Sequence, residues 1–144
     1  YANASRARGW EERRFRAAVL LFQEMLRREP DEGRALYELG LMYGKATNRY
    51  RDPDRAIRYL DRLLAKEDKH IPGRFARAHI LAEMGRLADA KREYEEIQNQ
   101  LKLLEEKGVL RDAEKTPNFR QAAQNIEKLE TCLSGSPGCE LAQP

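Results

Sequence analysis

The chain has little of what catalysis and membrane insertion usually require. Histidine and cysteine each occur only twice in 144 residues. An imidazole acid–base pair would have to be built from His70 and His79 alone. Cys132 and Cys139 lie near neither histidine in sequence, so the chain cannot supply the four ligands of a structural zinc site. The longest purely apolar run is Ala17–Phe22, against the roughly 20 residues a spanning helix needs. There is no Gly-x-Ser-x-Gly, no Gly-x-x-x-x-Gly-Lys, no Gly-x-Gly-x-x-Gly and no His-Glu-x-x-His. The expectation is therefore a protein that is not an enzyme, with no catalytic, cofactor-binding or metal-binding residues. A strong charge of one sign is missing as well: 27 basic against 24 acidic side chains leave a net charge of +3, too little to argue for nucleic-acid binding from total charge.

What the chain does have is charge of both signs and apolar spacing. Charged residues make up 35% and apolar residues 41%, which excludes the low-hydropathy, high-net-charge composition of disordered chains. Residues 1–72 carry 16 basic and 12 acidic side chains, and residues 73–144 carry 11 and 12. Nineteen of the 27 cations are arginine, the side chain suited to planar, bidentate contact with carboxylate or phosphate. Apolar residues recur at intervals of three and four, and no segment alternates as a half-buried strand does, which predicts an all-α fold. Glycine and proline divide the chain at Pro30, Gly33, Pro53, Pro72-Gly73, Gly85, Gly108 and Pro117. The predicted helices are Ser5–Trp10, Glu12–Glu29, Glu32–Ala46, Pro53–Lys66, Gly73–Met84, Leu87–Lys107 and Pro117–Leu133. Thr116 is the expected N-cap of the last, with Pro117 in its first turn.

A repeat runs through this pattern. Ala18, Phe22, Met25 and Pro30 are followed by Leu36, the Leu39-Gly40 pair and Tyr43; further on, Ala78 and Leu81 precede Gly85-Arg86-Leu87-Ala88-Asp89-Ala90, Tyr94 and Ile97. This spacing resembles the tetratricopeptide repeat. Tyr43 to Ala56 spans 13 residues, a longer unit that, with Asp52, is similar to the Sel-one-like variant without the glycines usual in its insertion. The resemblance implies a short right-handed superhelical solenoid of antiparallel helix pairs, about three repeats over residues 1–133. The helix ending at Leu133 caps it, and a Gly/Ser/Pro-rich tail follows over 134–144. Arg74 and Arg77 stand where the third unit should carry large apolar residues, so packing there is expected to be looser or wetter.

The resemblance also implies a function, that of a scaffold binding a partner peptide or helix in a concave groove. By register the groove residues are Trp10 and Glu11 from the first unit, Arg34, Tyr37, Leu41 and Lys45 from the second, and Phe75, His79, Ala82 and Glu83 from the third. The clamp by which some relatives grip the carboxy terminus of heat-shock chaperones is not present, since Glu38, Pro72 and Ala76 occupy its places.

Other readings compete. A homodimer would use Leu101, Leu104 and the face from Phe119 to Leu133. An RNA-binding repeat protein would use the stripe Arg55, Arg58, Arg62 and Lys66, although Asp54 and Asp61 favour a salt-bridged outer surface there. The cluster Arg6, Arg8, Arg13, Arg14 and Arg16 suits a membrane-proximal segment after a removed N-terminal anchor, in keeping with a start at Tyr1 rather than Met. Cys132 and Cys139 flank a turn-forming segment and point to a disulfide. The expected location is extracytoplasmic, periplasmic or envelope-associated, in an assembly or signalling complex, with a cytoplasmic location as the alternative.

Overall fold

A computed structural model describes residues 2–47, 49–135, 137 and 139, with side chains in the first helix from residue 11 onward. The described residues are helical throughout, without a strand: α1 (Ala2–Arg28), α2 (Gly33–Lys45), α3 (Pro53–Lys66), α4 (Ile71–Glu83), α5 (Leu87–Glu106) and α6 (Pro117–Leu133), with a 3-10 turn at Ala113–Lys115 before α6. The helices gather into two compact units, residues 1–68 and 69–144.

In the first unit α2 packs against both α1 and α3. Its Ala35, Leu36 and Leu39 are fully buried, as are Ala56, Leu60 and Leu63 of α3, while Val19 and Leu26 close the core from α1. Fully burying each such large aliphatic side chain contributes about 1.5–3 kcal/mol. Gly40 lets α2 approach α3 closely, because a Cβ there would lie 2.8 Å from both Cγ and Cδ2 of Leu60. Side chains at the helix starts satisfy backbone donors that have no partner within the helix. Glu32 accepts from Ala35 N at 2.7 Å, and Asp52 accepts from Arg55 N at 3.1 Å with Pro53 in the first turn.

In the second unit α5 is central, packing on α4 and α6. Ala90, Tyr94, Ile97 and Leu101 are buried on α5 and meet a core completed by Ile80, Leu81, Ala122 and Leu129. His70 caps α4, its Nδ1 accepting from Gly73 N at 2.9 Å. Thr116 caps α6, its Oγ1 accepting from Phe119 N at 3.3 Å, with Pro117 in the first turn as expected. The ends of α4 and α5 share one geometry. Gly85 (φ 82°) and Gly108 (φ 75°) take the left-handed conformation. The next residue then bonds back to the carbonyl five positions earlier, Arg86 N to Leu81 O at 2.9 Å and Val109 N to Leu104 O at 2.9 Å.

Three sequence expectations change here. Ser5–Trp10 is not a separate helix: α1 runs without a break from Ala2 to Arg28. No proline or N-cap interrupts it, and a single interior glycine such as Gly9 costs a helix only about 1 kcal/mol. Arg74 and Arg77 do not loosen the second unit. They close on Glu93, Arg74 Nη1 to Oε1 at 2.7 Å and Arg77 Nη1 to Oε2 at 2.8 Å, with the Glu93 side chain 8% exposed. The apolar face of α6 is also narrower than its spacing implies. Ala122 and Leu129 are buried, but Leu133 is 48% exposed. Cys132 and Cys139 form a disulfide with Cα atoms 4.7 Å apart, fastening the chain beyond α6 back to that helix's last turn.

Tyr94 offers a titration check on the second core. Burial pushes its hydroxyl up to about 12, opposed by a hydrogen bond with Asn125. The unfolded value is about 10, so the folded state holds this proton more tightly. The associated stability is fully present below pH 10 and is lost as the pH rises toward about 12. Denaturant unfolding followed across that interval should show a loss of stability that is smaller in Tyr94→Phe. Equal alkaline losses in both proteins would reject the assignment.

Candidate functional interface

The aromatic residues of the first unit form a connected row. Phe15 of α1 meets Tyr43 of α2 edge-on at 5.8 Å and stacks on Tyr50 at 5.4 Å, and Tyr43 stacks on Tyr59 of α3 at 6.1 Å. Tyr50 reaches Phe15 because the connection after α2 turns back on itself, held by a hydrogen bond from Asp52 N to Tyr43 O at 3.0 Å. Each tyrosine in the row also carries a guanidinium over its ring. Arg49 lies 5.1 Å from the centre of Tyr50, Arg55 5.0 Å from Tyr43 and Arg62 6.0 Å from Tyr59. Such contacts contribute about 0.5–1 kcal/mol each when exposed.

Two hollows open along this row. One of about 310 Å³ is lined by Gln23 of α1 and by Arg55, Arg58, Tyr59 and Arg62 of α3. The other, of about 200 Å³, is lined by Phe15, Arg16, Val19, Leu20 and Gln23 of α1 together with Tyr43 and Tyr50. Gln23 borders both, so they adjoin, and among the described residues no carboxylate lines either. Arg55 donates to the Tyr43 hydroxyl at 3.1 Å, and this bond raises its pKa further above the ordinary arginine value, so its charge is permanent. Arg62 donates to Pro30 O at 2.6 Å, tying α3 to the turn after α1. Arg16 and Arg58 make no hydrogen bond or ion pair among the described residues. The Asp54–Arg58 pair expected from the spacing is not formed. Acidic partners are found instead at the two ends of the ridge, Asp52 with Arg55 at 3.8 Å and Asp31 with Lys66 at 3.4 Å. Leu20, which lines the smaller hollow, is 66% exposed.

The residues assigned to a groove by register are placed as follows. Arg34, Tyr37, Leu41 and Lys45 follow one side of α2, outside its buried stripe; Arg34 and Lys45 are exposed, and Tyr37 and Leu41 half-buried. Glu11 is exposed on α1, and the side chain of Trp10 lies outside the described residues. On α4, His79 and Glu83 pair with each other at 2.6 Å on an exposed side. Phe75 turns toward Tyr94 with ring centres 6.0 Å apart, and Ala82 is only 6% exposed. Ala82 therefore offers no surface to a partner, which corrects its assignment to the groove. Of the face proposed for a twofold contact, Leu101, Ala122 and Leu129 are buried within the chain, while Leu133 is 48% exposed.

The assignment by register missed Phe15, Gln23, Tyr50 and Tyr59. The signal for three of them was present in the chain: Phe15, Val19 and Gln23 recur every four residues on α1, and Tyr59 lies within the arginine stripe of α3. Tyr50 had none, because its place depends on how the connection folds back.

Among the described residues no three His, Cys, Asp or Glu side chains converge as a metal site would require, and no helix is long and apolar enough to cross a membrane. Comparison with protein-family models, curated proteins and solved structures finds no match for the chain.

Proposed function

We propose that this chain is a non-catalytic helical scaffold, built on tetratricopeptide-like helix pairing, and that it binds another protein through the tyrosine–arginine face of the first unit. The observation that carries this reading is the row Tyr50–Phe15–Tyr43–Tyr59 with arginines laid over its tyrosines and the exposed Leu20 beside it. Rigid aromatics and arginines around a partly desolvated hollow are the composition that dominates binding energy at protein interfaces. The small-against-large packing of Gly40 on Leu60 supports the helical-repeat reading. An extracytoplasmic setting belongs to the same proposal and is supported by the Cys132–Cys139 disulfide, since such bonds persist in oxidising compartments.

Photocrosslinking tests the interface. A benzoylphenylalanine placed at Leu20 should capture a defined protein in the native source. The same group at Val109, 72% exposed in the second unit, should not capture that protein. No product at Leu20, or the same products at both positions, would reject the interface.

A further inference from the structure

We infer that the occupant of this face is an acidic, amphipathic protein segment that sets an apolar side chain in the smaller hollow and carboxylates on the arginines of α3; this rests on the scaffold reading above. Among the described residues four arginines line the two hollows, Arg16, Arg55, Arg58 and Arg62, and no carboxylate does. Asp54 and Asp61 stand on α3 but line neither hollow. Arg16 and Arg58 make no hydrogen bond or ion pair among the described residues, so their donors are available without breaking an existing bond. Arg55 and Arg62 lie over the rings of Tyr43 and Tyr59, with one donor of each already given to the Tyr43 hydroxyl and to Pro30 O. Arg16 and Arg58 therefore offer the guanidinium edges for paired N–H contacts, the geometry that fits a carboxylate.

The shape of the row selects protein over nucleic acid. Sequence-tolerant binding of single-stranded RNA depends on bases stacking on open aromatic faces. Here Tyr43, Tyr50 and Tyr59 are each already set against another ring and a guanidinium. What remains open beside them is aliphatic: Leu20 borders the smaller hollow and is 66% exposed. Along α3, Arg55 to Arg62 covers about 10 Å of helix axis. A partner helix with acidic residues one or two turns apart matches that span and presents an apolar side chain between them.

Fluorescence anisotropy with the full chain tests this. The probe is a fluorescein-labelled helical peptide with leucine along one face and glutamate along both flanks. It should bind, weaken as salt is raised, and bind about tenfold more weakly to Arg58→Glu. Leu20→Glu should weaken it by a similar factor. Both substitutions are at exposed positions, and an unchanged helical melt confirms that they leave the fold intact. The same peptide with every glutamate changed to glutamine should also bind about tenfold more weakly. Equal binding of the two peptides would overturn the carboxylate assignment. So would tighter binding of a labelled mixed-sequence RNA than of the acidic peptide, or a self-associated state, seen by light scattering, that Arg58→Glu dissolves. Absent peptide binding with capture at Leu20 intact would reject the acidic occupant and leave the scaffold reading standing. Absent capture would reject the scaffold reading itself.

Discussion

Glu93→Ala is expected to lower the unfolding free energy of the second unit by about 3–5 kcal/mol, the range for breaking a buried ion pair from one side. The Glu93 carboxylate holds Arg74 with one oxygen and Arg77 with the other, and the three side chains are 8%, 12% and 23% exposed respectively. In the alanine variant both guanidiniums lose the Glu93 carboxylate. Arg77, the more exposed, can turn to water; Arg74 has less access. Denaturant unfolding followed by circular dichroism measures the loss, and Glu93→Gln should fall between, keeping hydrogen bonds without the charge. Replacing all three residues together by apolar ones of similar volume, as in Arg74→Leu, Glu93→Met and Arg77→Leu, should leave stability unchanged or raise it by about 1–4 kcal/mol. A loss below about 1 kcal/mol in Glu93→Ala would be that of a solvated surface pair and would refute the description.

Leu60→Ala should cost about 2–5 kcal/mol, since a fully buried leucine is removed from the α2–α3 contact. Gly40→Ala tests the same contact from the other side. Alanine favours the helix interior by about 0.5–1 kcal/mol over glycine. The new methyl, however, would lie 2.8 Å from Leu60 Cγ and Cδ2, and Leu60 is fully buried. Overpacking of this kind costs about 1–3 kcal/mol, so a net loss is expected. In the double variant the added methyl occupies part of the volume Leu60 vacates, and the combined loss should fall short of the sum by about 0.5–3 kcal/mol. Strict additivity would mean that the two helices do not meet at this point.

How much of this was legible in the chain depends on the range of the interaction concerned. Helix starts and stops are local. Asp52-Pro53 and Thr116-Pro117 begin helices, and Gly85 and Gly108 follow their ends, because capping and the left-handed turn depend on residues within a few positions of one another. The failed break after Trp10 belongs to the same class: nothing local terminates a helix there. Pairing is different. Asp54 and Arg58 have the right spacing, yet the structure leaves Arg58 without Asp54 and brings Arg62 to the carbonyl of Pro30 instead. A surface ion pair of a few tenths of a kcal/mol is easily outweighed by the packing around it.

The amino-acid order by itself determined the all-helical class and nearly every helix boundary, since these follow from periodicity and local backbone chemistry. Tertiary structure alone decided that Glu93 joins Arg74 and Arg77, residues 19 and 16 positions away. It also decided that Tyr50 folds back to complete the aromatic row, and that the arginines of α3 border a hollow that no carboxylate lines among the described residues. Those arrangements depend on which faces of different helices meet, and spacing along one helix carries no record of that.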